Sequence, residues 1–253
     1  MKKIKDFIKK IPWLKNISYR VFNILRTRLS FYFFYDYIKF KKINDDRFKI
    51  KFKNIYPQLN DKTDETFFDP HYTYHPAWAA RIIKKINPTK HIDISSILQF
   101  STILSAFVPV EFYDYRPARV NLENLECKQA DLNNLPFPNN SIESLSCMHT
   151  IEHIGLGRYG DQIDPKGDLQ AIKELTRVLA INGNLLFVVP MGKPEIYFNA
   201  HRVYSYDMII EYFKDLTLME FSLIEKEGEL IINATKDQAD KELYGCGCFW
   251  FKK

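Results

Sequence analysis

The stretch from Ala130 to Pro190 constrains the fold most, because strand and helix patterns alternate within it. A polar loop, ADLNNLPFPNN, leads into a short apolar strand pattern at 142–147 and then into a turn that carries histidine and glutamate. A helical segment, DLQAIKELTRVL, continues through a Gly-containing turn into a second apolar strand at 185–189. Strands that alternate with helices indicate a mainly parallel sheet with helices on both faces.

The same alternation extends in both directions from this stretch. Further strands are predicted at 90–94, 110–113, 125–129, 216–224 and 244–252, the last two as a closing antiparallel pair. Helices are predicted at 97–107, 167–180 and 205–214, the last capped by Ser205. The sequence therefore predicts one α/β domain over residues 88–253, preceded by a connector and an entry helix over residues 43–87. The segment PHYTYHPAWAARII begins the globular part, and its His71 and His75 have two open interpretations: they line a pocket, or, as is favoured, they make structural hydrogen bonds.

The N-terminal segment differs from the rest in charge. Residues 1–60 carry 16 Lys and Arg against 4 Asp and Glu, whereas the whole chain has a net charge of only +5. A basic arm on a mildly acidic body points to an anionic surface, such as lipid headgroups or a charged glycan. We expect no nucleic-acid partner, because the basic face does not extend over the body.

Residues 1–42 have the apolar spacing of amphipathic helices, with Ile4, Phe7, Ile8 and Ile11 on one face. Two interpretations stay open: helices that lie in a membrane interface, and helices that pack on the domain. The sequence has no apolar run long enough to cross a bilayer and no secretory signal pattern. We therefore expect a cytoplasmic protein, with peripheral attachment to the inner face of the membrane as an option.

Several motifs resemble the second half of class I S-adenosylmethionine (SAM) dependent methyltransferases. They are LPFPNNSIESL before the fourth strand and RVLAINGNLLFVVP into the fifth, and the resemblance covers residues 88–252. Within that superfamily, HTIEHIGLGRYGD and FNAHRVYS resemble a group known only as a domain of unknown function, with members encoded beside surface-polysaccharide genes. The resemblance implies a Rossmann-like seven-stranded methyltransferase sheet with a basic helical N-terminal extension, and SAM as cofactor.

Acidic side chains follow three predicted strands, at the edge where open α/β sheets bind ligands. Asp93 ends the first strand, and Asp114 ends the second at a spacing typical of acids that bind ribose. The resemblance implies that Asp131, after the third strand, lies beside the adenine amino group. The first loop has serines in place of the usual glycines, which leaves a degenerate, non-catalytic domain as a rival interpretation. The remaining candidate cofactor residues are Ser95, Ser96 and Leu132.

The run from His149 to His153 has the pattern H-x-x-E-H, which some zinc peptidases place on a helix. Here the run follows a strand directly and Gly155 ends it, so zinc hydrolysis is disfavoured. In the methyltransferase arrangement, His153 is the first candidate for a general base and His201 the second. Glu152 would orient an imidazole. Structural hydrogen bonding within the turn is the alternative.

The Gly-rich run that follows predicts a tight loop over the site, and Arg158 suits a phosphate or carboxylate on an acceptor. Clustered Asp and His could hold Mg²⁺, but no spacing establishes a metal site. The single-spaced pair Cys246 and Cys248 does not match a zinc motif, and buried thiols are expected. The candidate acceptor residues are His149, Arg158, Tyr159, Asp161, Asn199 and Arg202.

The leading hypothesis is a SAM-dependent O-methyltransferase that acts on a sugar of a surface glycan or its precursor. The rival is a SAM-free, non-catalytic Rossmann-like module in a glycan-assembly complex. A sugar-modifying enzyme of another kind is a third option, because the fold does not fix the function.

Overall fold

The structure, a computed structural model, describes residues 31–45, 47–59 and 61–253. Contacts divide the chain into two compact units, of which the first ends at Phe67. In that unit the structure describes helix α1 (Phe31–Ile43) and a 3-10 turn at Phe52–Asn54. Most of the predicted amphipathic arm, residues 1–42, lies outside the described residues.

None of the described helices is both long and apolar enough to span a membrane.

The second unit, Phe68–Lys253, is built on one eight-stranded sheet with the order β3-β2-β1-β4-β5-β10-β8-β9. β1 to β5 run parallel, whereas β10 is antiparallel to both of its neighbours, β5 and β8. A separate two-stranded hairpin pairs β6 with β7. The strands are β1 (His91–Ile94), β2 (Val110–Asp114), β3 (Leu125–Gln129), β4 (Ile142–Met148), β5 (Leu179–Met191), β6 (Glu195–Tyr197), β7 (His201–Val203), β8 (Thr217–Ile224), β9 (Leu230–Ile231) and β10 (Gly245–Lys252).

Three of the five helices described in this unit begin at a residue whose side chain caps the helix. Asp69 accepts a hydrogen bond from the Tyr72 amide, with Pro70 at the first helical position, and Ser205 caps a later helix as predicted. The helices are α2 (Pro70–Ile86), α3 (Leu98–Leu104), α4 (Gly167–Val178), α5 (Tyr206–Tyr212) and α6 (Lys236–Ala239). A 3-10 turn at Ile151–His153 follows β4.

The predicted fold class is confirmed, and all seven predicted strands are present. The structure adds the short β9 and the β6–β7 hairpin, and β5 starts at Leu179, before the predicted 185. The compact domain also begins earlier than the predicted residue 88. Helix α2, which corresponds to the predicted entry helix, buries Trp78, Ala79, Ile82 and Ile83 against the sheet, so it belongs to the same compact unit.

The order in which successive strands are added to the sheet switches sides between β1 and β4, although the two strands are parallel. From β1 the chain moves outward through β2 to β3, and it then returns to β4 on the other side of β1. Such a switch leaves a crevice at the carboxyl ends of β1 and β4, which is where open α/β sheets bind their ligands.

Candidate functional site

A cavity of about 330 Å³ opens at this crevice. A smaller pocket of about 130 Å³ adjoins it and shares four lining residues, namely Ser95, His149, His153 and Tyr159. The smaller pocket reaches the loop after β2, while the larger cavity extends to α2, β5 and the start of β10. The larger cavity is lined by His71, Tyr72, Ser95, Ser96, Ile97, Met148, His149, Glu152, His153, Arg158, Tyr159, Pro190, His201 and Tyr244.

The backbone is strained where the two central loops line the cavity. Ser95 after β1 has φ 54°, and His149 after β4 also has φ 54°. Side chains other than glycine rarely adopt this left-handed region, and strain of this kind concentrates at functional sites. Ser95 therefore makes the turn for which a glycine was expected. The Thr150 hydroxyl joins the two loops by donating to the Ser95 carbonyl at 2.9 Å.

Asp93 is fully buried and is absent from the lining of both pockets. Its carboxylate accepts from the Ser146 hydroxyl at 2.6 Å and from the Ser101 hydroxyl. Burial raises the pKa of Asp93 to about 6. The prediction that Asp93 contacts the cofactor is not supported by this geometry, because the side chain points beneath α3 and supports the first loop from below.

The other predicted cofactor residues separate into two groups. Asp114 lines the smaller pocket, and its Oδ1 accepts from the Arg116 amide at 2.7 Å. Its Oδ2 makes no hydrogen bond to any residue that the structure describes, and so it can accept one from a ligand. Asp131 is exposed outside both pockets, where its Oδ1 binds the Asn133 amide, and Leu132 is a core residue. Asp114 is therefore the acid that the structure places at the site.

His153 has the geometry of a general base. Its Nδ1 lies 2.6 Å from the Ala200 carbonyl oxygen, which can only accept, so Nδ1 must carry the hydrogen. Nε2 therefore carries the lone pair. Arg158 Nη1 lies 3.2 Å from the same Nδ1, but it also donates to the Ala200 oxygen at 3.0 Å, so this contact does not change the tautomer. Burial lowers the pKa of His153, which keeps the ring neutral at pH 7.

Glu152 connects to His149 rather than to His153. Glu152 Oε1 accepts from His149 Nδ1 at 2.9 Å, whereas His153 Nε2 lies 4.0 Å away. Burial raises the pKa of Glu152 to about 7 and lowers the pKa of His149 to about 4. Glu152 Oε2 is buried without a hydrogen-bond partner among the residues described. The predicted role of Glu152 in orienting an imidazole is thus consistent with the structure, for the His149 ring.

The Gly-rich loop covers the site as expected, but only part of it faces the cavity. Arg158 and Tyr159 line the cavity, and the Tyr159 ring lies 5.7 Å from the His153 ring between centroids. The Arg116 guanidinium, from the loop after β2, lies over the Tyr159 ring at 4.4 Å from its centroid. These stacked side chains border the smaller pocket. His201, the second candidate base, also lines the cavity with a buried, unpartnered Nε2.

Three predicted acceptor residues are absent from the cavity lining, and two of them support the loop instead. Asp161 accepts from the amides of Gly155, at 2.8 Å, and of Tyr159. Arg202 is buried, and it donates to the Ile154 carbonyl at 2.6 Å and pairs with Asp168. Asn199 is exposed in the turn between β6 and β7. The structure therefore gives Asp161 and Arg202 a structural role and leaves Asn199 outside the cavity lining.

Helix α2 and the residue before β10 complete the lining of the larger cavity. His71, Tyr72 and Tyr244 line it, and of these the sequence analysis had offered His71 as a pocket residue. His75, one turn further along α2, is buried, and its Nδ1 donates to the His71 carbonyl at 2.6 Å, which is the structural hydrogen bond that was the favoured alternative. Tyr72 and Tyr244 carried no signal of their own in the sequence.

Comparisons with known proteins address the fold. A family model described as Caenorhabditis protein of unknown function, DUF268, matches residues 133–242. No curated protein sequence matches the chain. Among solved structures, the chain is similar to the N-methyltransferase NodS from Bradyrhizobium japonicum WM9 in complex with S-adenosyl-l-homocysteine. The TM-score is 0.52 at 13% identity, and the match covers 73% of this chain and 88% of that chain. It is also similar to the MccD protein, with a TM-score of 0.51, 13% identity, and 70% and 96% covered.

The domain therefore has the Rossmann-like fold of class I methyltransferases. At this level of identity the similarity concerns the fold, and the activity has to be argued from the site.

Proposed function

We propose that the protein is a SAM-dependent methyltransferase that methylates a hydroxyl group of a sugar, with His153 as general base. The proposal rests on the orientation of the His153 ring, which lines the cavity beside the carboxyl ends of β1 and β4. Its Nδ1 donates a hydrogen bond to the Ala200 carbonyl, so the lone pair of the neutral ring is on Nε2. A positioned neutral imidazole is the usual acceptor of a proton from a hydroxyl group at pH 7.

The residues of the smaller pocket fit the cofactor. The left-handed turn at Ser95 supplies the close backbone approach that a glycine gives in other Rossmann-like folds. The free Oδ2 of Asp114 can accept from a ribose hydroxyl. Ser95 and Asp114 of this pocket, with Ser96 from the larger cavity, would therefore hold SAM, whereas Asp131 lies outside both pockets. Together the cavity and the pocket have the size range of small-molecule sites.

When bound, SAM supplies an activated methyl group whose carbon–sulfur bond breaks with its electron pair on sulfur, which leaves S-adenosylhomocysteine. On the protein side, Nε2 of His153 takes the hydroxyl proton of the acceptor as that oxygen bonds to the methyl carbon. The Ala200 carbonyl then stabilises the imidazolium through Nδ1–H. Tyr159, packed edge-on against His153, restricts the ring to this orientation.

The lining of the larger cavity supports a sugar acceptor. Tyr72, Tyr159 and Tyr244 present aromatic faces and hydroxyls together, and such amphipathic rings suit the mixed apolar and hydroxylated surface of a sugar. Arg158 adds a cation that suits a phosphate or carboxylate on that sugar. A precursor of a surface glycan combines these features.

The rival, a SAM-free module in a glycan-assembly complex, rested on the glycine-free first loop. Ser95 adopts the left-handed conformation regardless, so the missing glycines no longer favour the rival over the enzyme.

Calorimetric titration with SAM and with S-adenosylhomocysteine tests the cofactor. We expect binding by the full-length protein, weaker binding by Asp114→Asn, and unchanged binding by Asp237→Asn, which alters an exposed carboxylate on α6. No heat from folded protein with either ligand would contradict the proposal and favour the module. Mass spectrometry of a panel of sugar nucleotides and oligosaccharides incubated with SAM then tests the acceptor, with His153→Gln as the inactive control.

We also propose that the basic N-terminal segment brings the domain to an anionic surface. Its charge, 16 Lys and Arg against 4 Asp and Glu in residues 1–60, supports this. We expect sedimentation with vesicles that contain phosphatidylserine but not with pure phosphatidylcholine, and loss of sedimentation when Lys2, Lys3 and Lys5 are replaced by glutamate. Equal sedimentation with both vesicles would contradict it.

A further inference from the structure

Three side chains with metal-binding atoms meet at the floor of the larger cavity. They are His71 in the first turn of α2, His149 directly after β4, and Cys246 on β10. One donor atom from each lies within 4.8 Å of the other two, and His149 Nε2 is 3.3 Å from Cys246 Sγ. None of the three has a role in the reaction proposed above.

The order of the strands in the sheet brings two of these donor side chains, those of His149 and Cys246, close together. β4 and β10 lie on either side of β5. The His149 amide donates to the Val188 carbonyl at 2.9 Å, and Cys246 pairs with Pro190 two residues further along β5. The two side chains therefore reach over the end of β5 from opposite sides, and the first turn of α2 adds His71 from above.

The spacing of the donors fits a tetrahedral ion. With metal–nitrogen bonds of about 2.0–2.1 Å and metal–sulfur bonds of about 2.3 Å, adjacent nitrogen and sulfur ligands of zinc lie about 3.5 Å apart. The observed 3.3 Å between His149 and Cys246 is close to this edge length. The His71 donor lies within 4.8 Å of the other two, so it would have to move closer by about an ångström to share the same ion.

Glu152 completes the arrangement in the way that metal-binding histidines are commonly supported. Its Oε1 accepts from His149 Nδ1 at 2.9 Å, which leaves the lone pair of His149 on Nε2, the nitrogen that faces Cys246. Its Oε2 is buried and unpartnered, and no Lys or Arg among the described residues bonds to Glu152. A divalent cation would compensate this buried carboxylate together with a Cys246 thiolate.

We propose that His71, His149 and Cys246 bind a zinc ion whose fourth coordination position opens into the cavity. Two imidazoles and a thiolate are ligands typical of zinc rather than of Mg²⁺ or Ca²⁺, which take oxygen ligands. His71 and His149 line the cavity while Cys246 lies beneath it, so the open position faces the cavity. A water molecule or an acceptor oxygen would occupy it, with its pKa lowered by the ion.

This site differs from the H-x-x-E-H interpretation. Only His149 of that motif is a ligand here, because His153 Nδ1 is held by the Ala200 carbonyl and Glu152 binds the back of the His149 ring. The zinc site also does not require methyl transfer, since it can be tested with neither SAM nor an acceptor present.

The test is a titration of the full-length, chelator-stripped protein with Co²⁺, followed by competition with Zn²⁺. We expect one ion per chain, a visible spectrum typical of tetrahedral cobalt, and a thiolate-to-cobalt charge-transfer band in the near ultraviolet. Cys246→Ser should lose that band. Cys248→Ser is the matched control, because it replaces an equally buried thiol on the same strand and should retain the band.

Two further variants keep the test decisive. His71→Ala alters a partly buried helix residue and should weaken binding of Co²⁺ and Zn²⁺ even if Cys246→Ser does not fold, as judged by circular dichroism. Glu152→Gln should weaken binding by about 10- to 100-fold, as loss of a supporting carboxylate does elsewhere. No charge-transfer band in folded wild-type protein, or equal loss in Cys246→Ser and Cys248→Ser, would overturn the zinc site. Either result would leave SAM binding unaffected, so the two proposals fail separately.

Discussion

Replacing Asp93 by asparagine should change how the stability of the protein depends on pH. Asp93 is fully buried, and its carboxylate accepts from the hydroxyls of Ser101 and Ser146. Burial raises its pKa from 3.8 to about 6 despite these hydrogen bonds. Between those pH values the folded protein binds a proton that the unfolded chain does not bind. Asp93 therefore contributes stability that is fully present below pH 3.8 and is lost as the pH rises through 6.

The size of the effect follows from the shift. A change from 3.8 to about 6 corresponds to about 3 kcal/mol in total. The linkage relation gives about 1 kcal/mol of this between pH 7 and pH 5, a range in which the protein can be studied without extreme acid. Asparagine does not titrate, and Ser101 and Ser146 can reorient their hydroxyls to accept from its amide. The Asp93→Asn variant should lack this contribution.

Urea unfolding at pH 7, 6 and 5, followed by circular dichroism, measures the effect. The free energy of unfolding of wild type minus that of Asp93→Asn should grow by about 1 kcal/mol as the pH falls from 7 to 5. Other titrating groups cancel in this difference. Asp237→Asn, which removes an exposed carboxylate, controls for the change in net charge. A difference that stays constant with pH, or that shrinks as the pH falls, would refute the assignment of Asp93 as a buried structural acid. The same variant should bind SAM with unchanged affinity.

Three further outcomes are expected. His153→Gln should lower kcat by about 10²- to 10⁴-fold with unchanged SAM affinity, and a loss of SAM affinity would argue against a base. Because burial lowers the His153 pKa, a pH series of wild type should find kcat/KM still on its plateau at pH 6.5. Gly155→Ala should lower the thermal midpoint more than Gly160→Ala. Both glycines have positive φ, but a Cβ at 155 would clash with the Asp164 carbonyl oxygen while a Cβ at 160 meets nothing, so equal midpoints would contradict the packing of this loop. Ser95→Gly should retain SAM binding, as measured by calorimetry. Ser95→Val should cost about 1–2 kcal/mol of stability, because position 95 has a left-handed backbone, and thermal unfolding measures this cost. A valine variant as stable as wild type would contradict the strained turn.

The strands were predictable because the apolar pattern of a parallel sheet is local and strong. The bounds predicted for β2, β3 and β8 differ from the observed ones by at most one residue. The same patterns did not predict the β6–β7 hairpin, because each of its strands is only three residues long and too short to show an alternating pattern.

Position at the end of a strand did not distinguish the acids from one another. Asp93 and Asp114 both occur near the end of a strand, but Asp93 comes before the last residue of β1 and therefore points into the core beneath α3. Asp114 is the last residue of β2 and reaches the pocket. One residue of register decides between the two environments, and a sequence pattern does not define strand ends to one residue.

The three proposed zinc ligands show why spacing rules did not find this part of the site. Rules for cysteine and histidine spacing describe ligands that one local turn brings together, and Cys246 with Cys248 does not fit them. In the structure, Cys248 takes no part, and the neighbours of Cys246 come from residues 71 and 149. Their proximity depends on β10 inserting beside β5 and on α2 packing over the same edge of the sheet. Both are non-local consequences of topology, so the ligand set becomes visible only once the order of the strands is known.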